Sequence, residues 1–391
     1  MSLPTVSTSR AAAPSLYYRE LDGLRFLAFF MVLVSHSAYP PAASAAASPW
    51  FGWMFRSWET AHWYGWMGVD VFLCLSAFLF ARLLLVEYRE RRDIDIAHFY
   101  IRRAFRIWPV YFVFSGMMLA LAVRDTGVDH NLPIRSLGVA TFTDNLFGAV
   151  QGLNVSLAYS FHLWTISYEE QFYAVVPWVL RVFYQSTPRT IAYVLGSVVS
   201  VGTILRAVAV HIGLTDEAIR LLPFTHFESI IGGLVLGLGL ADGYLEQARG
   251  WVLLVAGLAA LWLVTMLPRL VSLPWNAMLW SPVVGAGVSL VLFAVLRGDV
   301  WGASALLGSG LFRYLGKISY GLYVYHVASQ ALALRVTEGL GLRPRLLGNP
   351  AVMLIASLTI TVAVASVSYQ LLEKPFLRLK NRFAFVHSRP I

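Results

Sequence analysis

Apolar residues run along most of this chain in long stretches that are separated by short polar segments. A helix needs about 20 predominantly apolar residues to cross a bilayer. Stretches of that kind fall near 21–39, 65–86, 104–123, 162–183, 190–211, 226–242, 251–268, 278–297, 313–337 and 350–372. The pattern therefore predicts an all-α, polytopic membrane protein, a bundle of about ten transmembrane helices.

Composition supports the membrane assignment and suggests an orientation. Hydrophobic residues make up 58% of the chain and charged residues 13%, whereas soluble proteins carry about 25% charged residues. Most Lys and Arg residues fall on one side if the N-terminus lies inside, as cytoplasmic loops require. We expect both termini to be cytoplasmic and the protein to be a multi-pass component of the inner (plasma) membrane. The net charge of +9 then reflects topology and contact with the anionic lipid bilayer, and we expect no nucleic-acid partner.

The organisation along the chain is that of one membrane domain with two tails. Residues 1–19 are rich in Ser, Thr, Ala and Pro and predict a disordered cytoplasmic tail. The membrane domain is expected over 20–380 and a second cytoplasmic tail over 381–391. Cys74 is the single cysteine, which excludes an internal disulfide and a thiolate metal site, and we expect no metal.

Two ionisable side chains lie within the first apolar stretch. Arg25 and His36 are eleven residues apart, which places them on one helix face about 16 Å apart along the axis. Ionisable residues within membrane segments usually face the bundle interior and mark functional sites. The pair predicts a site that holds an anion near one membrane surface and transfers protons near the other.

A cluster of arginines precedes the third apolar stretch. Arg102, Arg103 and Arg106 fall on neighbouring positions of one helix face. Guanidinium groups bind phosphate bidentately and remain charged when partly desolvated. The cluster predicts a site for a phosphate-bearing ligand, and the alternative is a positive-inside topology signal.

The segment HLWTISYEEQFY brings three candidate residues to one helical stripe: His162, Glu169 and Tyr173. A carboxylate here must face a polar interior. Glu169 is therefore either catalytic or the partner of a buried arginine, and the two roles are compatible. We predict that His162 and Tyr173 bind substrate.

Two further segments supply candidates. Ser319, Tyr323 and His326 share a face of the ninth apolar stretch, where they either line a substrate pocket or form an interhelical hydrogen-bond seam. Asp70 begins the second stretch. It either orients a catalytic imidazole, which usually needs such a partner, or caps its helix.

These motifs together resemble the acyltransferase-3 family of integral-membrane O-acyltransferases, in order and over essentially the whole chain. The segments that carry the resemblance are LDGLRFLAFFMVLVSHS (21–37), GVDVFLCLSAFLF (68–80), FYIRRAFRIWPVY (99–111), HLWTISYEEQFY (162–173), ISYGLYVYH (318–326) and YQLLEKPF (369–376). One departure is Ala77, where the family usually has Ser-Gly.

The resemblance implies a bundle of roughly ten helices that takes an acyl group from cytoplasmic acyl-CoA and delivers it to a hydroxyl, often of a cell-surface glycan. It assigns functional importance to Arg25, His36, Arg103 and Arg106, and it places Glu169 in the family's Glu-x-Gln-Phe-Tyr motif. We expect acetyl-CoA or another short acyl-CoA to be bound by the arginines. His36 would act as general base or carry the acyl group transiently.

Two other classes compete with this interpretation. A proton-coupled transporter or flippase of an anionic or lipid-linked substrate could use His36, Glu169 and His326 as a relay. Such proteins often contain internal repeats, and none is evident here. A membrane glycosyltransferase would need carboxylates in the outer loop expected at 40–64, which offers only Glu59. The acceptor itself, whether polysaccharide, glycolipid or small glycoside, is left open by the sequence.

Overall fold

The structure, a computed structural model, describes residues 16–37, 49–126, 131–153, 157, 159–245, 247–270, 275–339 and 350–385. These residues form helices and no strand, which confirms the all-α prediction. The two predicted tails lie largely outside the described residues, as 1–15 and 386–391.

The helices follow one another as α1 (Arg19–Ser35), α2 (Pro49–Tyr64), α3 (Met67–Arg91), α4 (Ile96–Thr126), α5 (Leu132–Ala140), α6 (Asp144–Gln151), α7 (Trp164–Phe183), α8 (Pro188–His211), α9 (Asp216–Leu221), α10 (Glu228–Gly237), α11 (Asp242–Leu245), α12 (Gly250–Leu270), α13 (Trp275–Arg297), α14 (Trp301–Leu307), α15 (Gly310–Lys317), α16 (Ser319–Gly339), α17 (Pro350–Ser368) and α18 (Lys374–Lys380). A 3₁₀ turn at Phe161–Leu163 precedes α7, and a π-helical turn at Tyr369–Glu373 joins α17 to α18.

Six helices in the described part of the chain are long and apolar enough to cross a membrane: α3, α4, α8, α12, α13 and the continuous α17–α18 segment. The other four predicted stretches also form helices but do not meet that criterion. They are α1, α7, α10 and α16. The count of about ten spans and the side of each terminus therefore remain predictions.

Two sequence expectations about segment boundaries are wrong. Part of the loop expected at 40–64 forms the helix α2, Pro49–Tyr64. The stretch 226–242 yields only the ten-residue α10, because Gly239 adopts a φ of +73° and the chain turns there. Both segments lie beside the site described below.

Close contacts between small residues hold the central helices together. A Cβ added at Gly68 would lie 2.2 Å from the carbonyl oxygen of Ala28, and one at Gly233 would lie 2.2 Å from that of Cys74 and 2.8 Å from the Cβ of Ala77. Membrane helices commonly associate through such small residues. Ala77, the departure from the family pattern, thus belongs to the contact between α3 and α10.

Buried ion pairs add to this packing. Arg206 of α8 pairs with Glu228 of α10, and both side chains are almost fully buried. Arg135 of α5 pairs with Asp144 of α6 at 3.0 Å. On the outside of the bundle, α8 and α12 expose large apolar side chains such as Ile204 and Trp262. This distribution, charges inside and apolar groups outside, is the one that a lipid environment requires.

Candidate active site

Three imidazoles meet at the end of α1. His36 caps the C-terminus of that helix, and its Nδ1 lies 2.8 Å from Nε2 of His326 on α16. The ring of His162, in the 3₁₀ turn before α7, lies 4.6 Å from the His326 ring between centroids. His162 and His326 are buried, and His36 is partly exposed. The structure therefore brings together one residue from each of three distant predicted motifs.

The backbone carbonyl of Tyr323 determines which nitrogen of His326 carries a proton, and thereby which nitrogen of His36 does. Nδ1 of His326 lies 2.6 Å from the carbonyl oxygen of Tyr323, which can only accept, so this nitrogen donates. In neutral His326 the other nitrogen, Nε2, is then an acceptor. Nδ1 of His36 must donate to it, and the lone pair of His36 is left on Nε2.

His36 lines a cavity of about 130 Å³, called here the histidine cavity. Its wall also includes Val69, Thr165, Tyr323 and Arg220. An imidazole that keeps a free lone pair and lines a cavity is suited to general-base catalysis.

A second cavity, of about 140 Å³, contains the predicted arginines and is called here the arginine cavity. Its five basic side chains come from α1, α4, α15 and α18: Arg25, Arg103, Arg106, Lys317 and Lys380. Its two acidic side chains are Asp22 and Glu169. The excess of positive charge in a partly desolvated space favours an anion.

The arginines are held by aromatic and acidic neighbours. The guanidinium of Arg103 lies 4.6 Å from the ring centroid of Phe80, a geometry that suits cation–π attraction. Nη1 of Arg25 lies 3.4 Å from the carboxylate of Asp22. These contacts fix the charged groups on helices that already pack against one another.

Glu169 belongs to the arginine cavity and not to the imidazole cluster. Its carboxylate accepts a hydrogen bond from Ser76 Oγ at 3.3 Å, and Ser76 in turn accepts from Tyr173 at 3.5 Å. Tyr173 and Ser319 also line this cavity. The predicted stripe of His162, Glu169 and Tyr173 is therefore divided, because the chain turns at the start of α7 and directs His162 elsewhere.

The two cavities share a wall. Val69, Thr165 and Tyr323 line both of them. The Oγ1 of Thr165 and the OH of Tyr323 are 2.6 Å apart, a hydrogen bond between α7 and α16. Tyr323 thus forms both the interhelical seam and a pocket wall, the two roles that the sequence left open.

Asp70 contacts an imidazole, as one of its two predicted roles requires, but the ring is that of His226, which also lines the histidine cavity. Asp70 accepts hydrogen bonds from His226 at 3.0 Å and from Ser229 at 2.6 Å. It does not orient His36, whose partner is His326, and it does not cap α3, which lacks a side-chain cap. His226 lies outside all of the sequence motifs, so no local pattern indicates its place in the site.

Arg102 also departs from its predicted role. It donates to the carbonyl of Phe383 at 2.9 Å and lies 3.5 Å from the buried carboxylate of Glu87. It does not line the arginine cavity. Lys317 and Lys380 line this cavity instead, although neither lies among the predicted site residues. The break between α15 and α16, which directs Lys317 inward, could not be read from the apolar pattern.

Among the described residues, no group of three or more His, Cys, Asp or Glu side chains is arranged to hold a metal ion.

An all-helical membrane bundle that encloses a base beside an anion-binding cavity is suited to a membrane-embedded transferase. Residues 18–369 match the family model described as an acyltransferase domain, acyltransferase-3. The chain belongs to the acyltransferase-3 family, which confirms the resemblance and the class of enzyme, an O-acyltransferase.

Several curated proteins are similar to this chain. The peptidoglycan O-acetyltransferase OatA of Listeria monocytogenes is 22% identical over 94% of this chain and 56% of its own length. YrhL of Bacillus subtilis, which is provisionally named a peptidoglycan O-acetyltransferase, is 24% identical over 95% of this chain and 57% of its own length. SACOL0978 of Staphylococcus aureus, provisionally named an O-acetyltransferase, is 28% identical over 42% of this chain and 25% of its own length.

The chain thus spans little more than half the length of the relatives that it matches along its whole extent. No solved structure shows a significant match to it.

Proposed function

We propose that this protein transfers an acyl group, most simply acetyl, from cytoplasmic acyl-CoA to a hydroxyl of a glycan at the plasma membrane. The observation that carries the proposal is the shared wall of Val69, Thr165 and Tyr323 between a cavity lined by arginines and a cavity lined by His36. One cavity suits the phosphates of the donor and the other suits the chemistry of the acceptor hydroxyl.

The donor would bind with its phosphates among Arg25, Arg103 and Arg106. Arginine holds phosphate bidentately, and Lys317 and Lys380 add positive charge on the same side. The pantetheine arm would extend past the Thr165–Tyr323 hydrogen bond and present its thioester to His36. Glu169 lines the arginine cavity beside Ser76. Its negative charge would help to hold Arg103 and Arg106 in place.

The chemical step follows from the tautomer of His36. Nε2 of His36 takes the proton of the acceptor hydroxyl while its oxygen attacks the thioester carbonyl. The carbon–sulfur bond breaks, the acyl group stays on the oxygen, and the thiolate takes the proton from the imidazolium. His326 accepts the hydrogen bond from Nδ1 of His36 throughout.

Glycan acetylation is favoured as the specific reaction because two relatives of matching extent carry names that specify peptidoglycan O-acetyltransferase. The test uses the purified full chain in liposomes with acetyl-CoA and soluble peptidoglycan strands. Mass spectrometry should show strands heavier by one acetyl unit. Accumulation of unmodified strands inside vesicles without any acetyl-CoA would instead establish transport.

A further inference from the structure

A third cavity opens next to the histidine cavity and is called here the vestibule. It has a volume of about 550 Å³, within the range of roughly 300–1,000 Å³ that is typical of ligand pockets. It forms where α2 and α12 end, where α3 and α13 begin, and against α9. Trp66 and Arg220 line both the vestibule and the histidine cavity, so a ligand in the vestibule would lie next to His36.

Aromatic side chains form much of the vestibule wall. Trp66 and Trp280 meet edge to face with their centroids 5.2 Å apart, and the guanidinium of Arg220 lies 4.9 Å from the Trp66 ring. Trp63 and Tyr64 continue the wall at the end of α2. Trp63 is 62% exposed, so its ring is available to a ligand. Rings held in this way offer flat apolar faces at little entropic cost.

The polar groups of the vestibule are balanced in charge. Its acidic residues are Glu59 and Asp216, and its basic residues are Arg220 and Arg269. The amide of Asn276 adds both a donor and an acceptor. This contrasts with the arginine cavity, where basic side chains predominate. A phosphorylated ligand would find no excess of positive charge here, whereas a neutral molecule rich in hydroxyls would find both donors and acceptors.

We propose that the vestibule is the acceptor site and that it binds the sugar rings of a glycan. A sugar ring presents C–H groups on its faces and hydroxyls around its rim, which matches aromatic walls that are interspersed with carboxylate, guanidinium and amide groups. Trp63 stacks against the sugar, Glu59 and Asn276 hydrogen-bond to its hydroxyls, and Arg220 guides one hydroxyl toward His36. This inference rests on the proposed function, since it supplies the acceptor for that reaction.

The test measures the binding of soluble peptidoglycan strands to the full-length protein in detergent, without any acyl donor. Trp63→Ala should weaken binding about fivefold to tenfold, the effect of losing one stacking contact. Trp262 is the matched control because it is also 62% exposed and does not line the vestibule. Trp262→Ala should bind as the wild type does. Asn276→Ala should also weaken binding, by removing a hydrogen bond rather than a ring.

Coenzyme A binding by each variant verifies that the fold is retained. Equal strand affinity of Trp63→Ala and Trp262→Ala, or no strand binding by the wild type, would overturn the acceptor site. His36→Ala should bind strands normally and yet transfer nothing. Strand binding without acetyl transfer by the wild type would contradict the proposed function and leave the vestibule assignment standing.

Discussion

His36 and His326 share a hydrogen bond whose direction depends on the backbone carbonyl of Tyr323. That carbonyl accepts from His326 Nδ1 at 2.6 Å, and His326 Nε2 then accepts from His36 at 2.8 Å. His326 is buried and does not line the histidine cavity, so in the proposed reaction it would act through His36. We therefore regard it as a positioning residue.

Substitutions of His326 should separate positioning from packing. His326→Ala removes the acceptor for His36 Nδ1–H and should lower kcat by about 10²-fold or more with little change in KM for acetyl-CoA, as expected for a misoriented general base. His326→Gln retains a carbonyl acceptor near the Nε2 position and should recover part of that loss. Steady-state kinetics of both variants in liposomes test this prediction. Equal kcat values for His326→Ala and His326→Gln would indicate that His326 has a packing role only.

Neighbouring arginines should behave differently when each is neutralised. Arg103→Gln removes a charge from the arginine cavity and should weaken coenzyme A binding by about tenfold or more, the equivalent of one charge-assisted contact. Arg102→Gln leaves the carboxylate of Glu87 buried without its 3.5 Å partner and should lower the melting temperature instead. Calorimetric titration with coenzyme A tests the first variant and thermal unfolding tests the second. An unchanged affinity of Arg103→Gln for coenzyme A would mean that Arg103 serves only as a positive-inside topology signal.

Among the helices that carry the site, the apolar pattern describes α1, α7 and α16 less well than α3 and α4, which also line the arginine cavity. Polar and charged residues give α1, α7 and α16 a mixed character, and all three line the arginine and histidine cavities. The strongly apolar α8 and α12 expose many of their side chains. Periodicity thus predicts the lipid-facing helices well, whereas interior helices need knowledge of their neighbours.

Sequence patterns are local, which explains why some site residues could be predicted and others could not. Arg25, His36 and Arg103 lie within continuous motifs and reach the expected cavities. The contact between His36 and His326 joins residues 290 positions apart, and the pairing of Asp70 with His226 depends on how α10 packs against α3. Side-chain partners of this kind follow from tertiary packing and cannot be read from spacing along one helix.

Close packing of α3 against α10 should be sensitive to a single methyl group. Gly233→Ala places a Cβ about 2.2 Å from the carbonyl oxygen of Cys74 and should destabilise the protein by about 1–3 kcal/mol, as overpacking does. Gly116→Ala is the control, since its added Cβ would meet no atom within 4 Å apart from the backbone of its own helix. Thermal unfolding in detergent should show a lower midpoint for Gly233→Ala alone. Equal midpoints would mean that the two helices separate more easily than the structure indicates.

The proposed donor and acceptor sites lie toward opposite ends of the bundle, and α8 runs between these ends. Cys74 is the single cysteine of the chain, so in a Cys74→Ala background only an introduced cysteine can be labelled. A cysteine introduced by Ile212→Cys should react with an impermeant maleimide in intact cells. One introduced by Gln185→Cys should react only after permeabilisation. The reverse pattern would place the arginine cavity outside, away from cytoplasmic acyl-CoA.

The most direct measurement compares donor binding with acyl transfer in His36→Ala. Calorimetric titration with coenzyme A should give an affinity within about twofold of the wild type, because the arginine cavity does not include His36. Transfer from acetyl-CoA to peptidoglycan strands should fall by about 10²-fold or more, the contribution typical of a general base. Full transfer activity in this variant would contradict the role of His36 and, with it, the division of the protein into a donor cavity and a base cavity.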